Sequence, residues 1–131
     1  MLMSGCIKLT GADPKLPEEY CGTFWECADP YMVFAVDDKG YCSGTLFVEG
    51  VSIPASFNFI GGRSCSIIAK REDVHPLVFS GNYKFIGDVM IWEGSWNGFL
   101  EEYFGVSYGQ GECTMIFERK VERPTESGPL I

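Results

Sequence analysis

Between residues 51 and 59 the chain alternates strictly. Val51, Ile53, Ala55, Phe57 and Phe59 fall on one parity, and Ser52, Pro54, Ser56 and Asn58 fall on the other. Successive side chains of a strand point to opposite faces, so this pattern specifies a strand with one face buried and one wet. A helix over the same residues would scatter the apolar side chains around its axis. Pro54 lacks an N–H, which marks a sheet edge or a bulge at that point. A lone strand cannot bury its apolar face, so the neighbouring sequence has to supply partners.

It does so repeatedly. Residues 20–28 and 31–36 are rich in β-formers and are split by Asp29-Pro30. Asp37-Asp38-Lys39-Gly40 reads as a hairpin turn into 41–48, and Glu49-Gly50 turns that run into 51–59. Gly61-Gly62 leads to 64–70, and a polar connection over 71–76 leads to 77–86. Gly87-Asp88 turns the chain into 89–93. A glycine-rich stretch over 94–98 then reads as a loop before 99–108, of which 99–104 could form a short helix. A break at 109–111 precedes the last run, 112–121. With 16 glycines, 15% aromatic and 21% charged residues, the 131-residue chain has the composition of one glycine-punctuated β domain rather than a coiled coil or a disordered tail. The expected fold is all-β: an antiparallel up-and-down barrel of about eight to nine strands, with a β-sandwich as the alternative. The expected organisation is a tether over 1–19, a barrel over 20–121 and a tail over 122–131.

Ten Lys and Arg against 18 Asp and Glu give a net charge of −8. A nucleic-acid binder needs a basic face to displace counterions, so direct nucleic-acid binding is not expected. An acidic surface could instead block a basic partner. The six cysteines form no C-x-x-C, which removes the close spacings of zinc and redox motifs, and no metal is expected. Cys42, Cys65 and Cys113 sit in apolar runs and read as buried thiols, with a structural disulfide as the alternative. Ahead of them, Met3-Ser4-Gly5-Cys6 resembles the end of a bacterial lipoprotein signal in which the cysteine is acylated. No basic or apolar stretch precedes it, which points to the cytoplasm. The polar segment that follows resembles the tether of an envelope lipoprotein, so Cys6 is a candidate lipidation site and the only expected route to a membrane.

No catalytic constellation is legible. His75 is the single histidine and precedes a proline in a charged connection. Glu101 and Glu102 are adjacent and on a strand would point to opposite faces. Gly61-Gly62-Arg63-Ser64 lacks the lysine and following helix of a phosphate loop, and Asp29, Asp37 and Asp38 match no calcium loop. No cofactor and no enzyme activity are expected. Trp25, Phe57, Phe59, Phe79, Tyr83, Phe85 and Phe117 fall on the inward parities and are candidate lining residues. A barrel of about eight strands is just filled by such side chains or holds one small ligand. Trp92 and Trp96 flank the glycine-rich stretch and form either a partner-binding patch at the barrel rim or a lid over an open end.

The order of these features resembles the calycin-type barrels, the lipocalins and their relatives. Gly22-Thr23-Phe24-Trp25 stands where those folds begin with G-x-W, one place late, and Arg119 stands where a last-strand arginine packs over that tryptophan. Leu16 to Trp25, Asp29-Pro30-Tyr31 and Ser80 to Asp88 are also similar to small bacterial lipoproteins with lipocalin-like domains. The resemblance implies a non-catalytic monomeric barrel that binds a small apolar ligand or a protein partner, closed by the pair Trp25 and Arg119.

Overall fold

The computed structural model describes residues 15–48, 50–71, 75–99 and 108–121. After a single 3₁₀ turn, Glu18–Tyr20, eight strands follow in chain order: β1 Phe24–Ala28, β2 Tyr31–Val36, β3 Cys42–Val48, β4 Val51–Ile60, β5 Ser64–Ala69, β6 Leu77–Ile86, β7 Val89–Phe99 and β8 Tyr108–Lys120. Each strand pairs antiparallel with the next, and β8 returns to β1, closing the barrel. The expected up-and-down barrel is therefore the fold, and closure removes the free edges a sandwich would leave.

The alternation of 51–59 survives intact in β4: its odd-numbered residues from Ile53 to Phe59 are buried and Ser52, Pro54 and Ser56 are exposed. Pro54 sits beside the end of β5. Its carbonyl accepts from the Lys70 N–H at 3.0 Å, one residue past Ala69, so the missing proline N–H faces a place where the ladder has run out. Apolar inside and polar outside is the reverse of a lipid-facing barrel.

The glycine-rich stretch 94–98 differs from its expectation. It is strand, part of β7, and the break at 109–111 lies within β8. These glycines serve close approach rather than turns. Gly81 and Gly94 face each other across β6 and β7, and a Cβ on either would collide with neighbouring backbone, the Glu93 carbonyl at Gly81 and the Ser80 carbonyl at Gly94. Missing side chains there let the wall bend sharply, as closure of a small barrel requires. By contrast, Gly61, Gly62 and Gly87 have positive φ and do make the hairpin turns expected of them.

Four connections, β1–β2, β3–β4, β5–β6 and β7–β8, gather at one end of the barrel; the other three and the N-terminal segment gather at the opposite end. At that second end the described part of the N-terminal segment packs onto the barrel. Leu16 is buried and its N–H donates to the Gly40 carbonyl at 2.8 Å. The Tyr20 ring stacks on Phe85 at 4.3 Å, and Phe85 meets Trp25 edge-on at 5.0 Å. This end is closed. Cys6 and the 122–131 tail lie outside the described residues, as do Glu101 and Glu102.

Candidate functional site

The interior divides into a filled half and a cup. Next to the closed end, Trp25, Phe34, Phe57 and Phe117 form a continuous ring cluster with centroid separations from 4.6 to 6.1 Å. Phe59 joins it through Phe34, and Tyr83 meets Phe59 edge-on at 4.8 Å. Of the seven aromatics expected to line the interior, these rings, together with Phe85, pack mainly against one another. The half-buried Tyr83 and Phe85 border a cleft at the closed end, and only Phe79 of the seven lines the larger open space inside the barrel.

That space is a cavity of about 360 Å³ at the open end, lined by Pro30, Leu46, Val48, Leu77, Phe79, Trp96 and Cys113. It exists because the strands are staggered. β7 and β8 run for 11 and 13 residues while β1 and β2 run for 5 and 6, so one side of the rim stands higher than the other. Phe79, Trp96 and Gly111 lie side by side across β6, β7 and β8. The Trp96 indole lies across Gly111, where a Cβ would sit 3.0 Å from its Nε1. A side chain at 111 would therefore press on this ring, which would have to give by a few tenths of an ångström.

Among the described residues no Asp, Glu, Lys, Arg or His lines the cup, and burial pushes the Cys113 thiol above its ordinary pKa, so it stays protonated at neutral pH. Cys27 and Cys65 are buried with their pKa values raised by the same desolvation, and Cys42 is pushed up to about 12. All five described cysteines are free thiols.

Trp92 and Trp96 are separated by the wall they share. Trp92 is fully buried, with its indole N–H donating to the Cys65 carbonyl at 2.9 Å and its ring edge-on to Phe79 at 6.2 Å. It is core, because β7 continues through the glycines and keeps Trp92 on the inward parity. Trp96, on that parity four residues further on, is half-buried at the mouth of the cup. Trp25 and Arg119 do lie directly opposite each other in β1 and β8. The rings over Trp25 are nevertheless Phe85 and Tyr20, while the half-exposed Arg119 guanidinium reaches Asp88 at 3.8 Å. His75 is exposed on the β5–β6 connection. Among the described residues no group of three His, Cys, Asp or Glu is placed to hold a metal ion.

The sequence reading missed Leu46, Val48, Leu77 and Pro30 as site residues, although all but Pro30 were visible as apolar strand residues near the same barrel end. It also missed Phe34, which touches four other rings at the centre of the filled half. Elsewhere, a smaller cleft of about 270 Å³ flanks the closed end and carries both Glu19 and Lys84. A shallow polar depression on the outer wall spans Ser80, Asn82, Glu93, Ser95, Glu112 and Thr114 over the Gly81 and Gly94 floor.

No protein-family model and no curated protein matches the chain. Solved structures do. The bradavidin2–biotin complex superposes with a TM-score of 0.52 at 14% identity, covering 80% of this chain and 99% of that one. The rhizavidin–biotin complex gives 0.51 at 13% identity, covering 80% and 97%. At such identities the likeness is one of fold, and the fold is that of the avidin-like, calycin-type barrels: eight antiparallel strands, up and down, closed on themselves.

Proposed function

We propose that this barrel is a non-catalytic binder of a small, neutral, apolar ligand held in the cup at its open end. The observation that carries the reading is the cavity of about 360 Å³ with apolar walls and, among the described residues, no charged side chain. Sites for small molecules begin at roughly 300 Å³ and are mostly apolar with a few placed polar groups. The similar barrels were solved with biotin, which supports ligand binding as a use of the fold. Biotin itself is a poor match here. Its ureido ring and carboxylate need several polar partners, and burying them without partners costs several kcal/mol, roughly 2–7 per unpaired group.

The test is a titration with the neutral fluorophore N-phenyl-1-naphthylamine. Its emission rises on entering the cup of the wild-type protein, biotin does not displace it, and Val48→Glu, which puts a carboxylate at the half-buried mouth, abolishes the rise while the barrel stays folded by circular dichroism. A wild-type protein that gives no enhancement, or gives the same enhancement as Val48→Glu, overturns the reading.

A second reading, an acidic protein that blocks a basic partner, is favoured by one arrangement. Glu26, Glu93, Glu112 and Glu118 face outward on the contiguous β7, β8 and β1 wall, with Asp29 at its rim, while outward positions 52–58 of β4 carry no charge. Lys120 answers two of these carboxylates at its lower edge, Glu26 at 3.3 Å and Glu118 at 3.7 Å. This reading expects salt-sensitive binding of an oligolysine peptide that Glu93→Lys with Glu112→Lys removes; binding that survives the double change contradicts it.

A further inference from the structure

A polar atom entering the cup meets carbon on every described side. Leu46 and Val48 on β3 face a wall built by Phe79 on β6 and Trp96 on β7, because β3 and β7 lie four strands apart in a closed barrel of eight. Two described side chains of the lining carry a heteroatom. The Trp96 nitrogen lies against Gly111, 3.0 Å from where a Cβ would sit, and the Cys113 sulfur is a weak hydrogen-bonding group. The backbone adds no partner here. Leu46 pairs with Met32 and Ile53, Phe79 with Ile67 and Trp96, and Trp96 with Gly111. Peptide N–H and C=O groups in such ladders lie in the sheet and point at the neighbouring strands, across the direction of the side chains. Pro30 has no N–H.

Such walls hold water poorly, and displacing poorly held water with carbon surface raises affinity. A hydroxyl carried in on the same skeleton gives up its own water and regains nothing. Size narrows the choice further. An apolar cavity of about 150 Å³ takes benzene, so the cup, at about 360 Å³, has room for roughly two fused rings or a hydrocarbon of about ten to twelve carbons. We propose that the cup selects by exclusion within the apolar class: it takes hydrocarbons of two-ring size and rejects the same skeleton bearing one hydroxyl. This rests on the reading that the cup binds a ligand at all, and it adds that no polar anchor is used. Discrimination then comes from a penalty on the wrong ligand rather than from a bond to the right one.

The test compares 2-methylnaphthalene with 2-naphthol, which share their rings, differ by methyl against hydroxyl and are both uncharged at neutral pH. Each is titrated into protein with ¹³C-labelled methyl groups, read at Leu46, Val48 and Leu77. Octanol can hydrogen-bond a hydroxyl and an alkane cannot, so the octanol–water partition ratio of the pair is the preference expected of a site that holds a partner. The wild type favours the hydrocarbon by about tenfold or more beyond that ratio. Val48→Thr places a hydroxyl at the half-buried mouth with little change of shape, and brings the preference back toward the octanol ratio. The wild-type ratio needs no variant, so it decides even where Val48→Thr folds poorly. A wild-type preference at or below the octanol ratio, with both compounds shifting the three methyls, overturns the inference while leaving the cup reading standing. Equal preferences in the wild type and a folded Val48→Thr overturn it too. Binding of neither compound to the wild type overturns the cup reading, and this inference with it.

Discussion

At one end of the barrel Tyr20, Phe85 and Trp25 stack into a plug over a filled aromatic core; at the other, the described residues leave an apolar cup with half-buried Trp96 in its wall. The same alternating strands build both ends. What differs is what lies over them. The closed end has short hairpins and receives the N-terminal segment, whose Leu16 and Tyr20 fill the last layer. The open end has the long strands β7 and β8 on one side and the short β1 and β2 on the other, which leaves a cup that no described side chain fills. Alternation makes a barrel; stagger and the terminal segment decide which end of it is hollow. On the proposed function, stability is concentrated at one end and binding at the other.

Paired substitutions test that division. The largest effect is expected for Trp25→Ala, which removes a fully buried ring packed against Tyr20, Phe34 and Phe85 and costs about 3–5 kcal/mol of unfolding free energy. Trp96→Ala, at the mouth of the cup, costs about 1 kcal/mol or less but weakens ligand binding. Equal losses for the two in urea titrations would break the comparison. Next comes Gly81→Ala in the wall between the ends. Its Cβ meets the Glu93 carbonyl, backbone that cannot rotate away, so about 2–3 kcal/mol is expected, read as a lower urea midpoint with an unchanged slope.

Tyr20→Ala sharpens the picture of the plug. Losing the stack on Phe85 costs about 1–2 kcal/mol and increases acrylamide quenching of Trp25, whereas binding at the open end is unaffected. The smallest effect at neutral pH belongs to Tyr31, on the outer rim of the open end. Burial, then its 2.8 Å hydrogen bond to Glu26, pushes its phenol up to about 12 from an ordinary 10. A group whose folded pKa is raised contributes stability that is complete below the unfolded value and is lost as pH rises through the folded one. The protein therefore loses stability between about pH 10 and 12, and Tyr31→Phe removes that part of the alkaline loss. A wild type and a variant with superimposable stability curves over that window would contradict it.

The barrel was legible because alternation is a local signal: β2 and β6 begin and end where their apolar runs do, at Tyr31–Val36 and Leu77–Ile86. The cup was not, for two physical reasons. A glycine that turns the chain and a glycine that lets two strands touch look the same in sequence, so 94–98 read as a loop and Trp96 was detached from the inward parity of Met90 and Trp92. Continuing that parity through Gly94 would have placed it. The second reason is that hollowness depends on strand stagger and on Leu16 and Tyr20 folding over one end. Those are long-range facts, and the segment bearing Leu16 reads locally as a polar tether.

The measurement that bears most directly on the two-ended account is a methyl shift map of the wild-type protein saturated with N-phenyl-1-naphthylamine. Leu46, Val48 and Leu77 report on the open end, and Leu16 and Val36 on the closed one. The account predicts perturbations at the first three residues and none at the last two. Shifts centred on Leu16 and Val36, or no shifts at saturating probe, would contradict it.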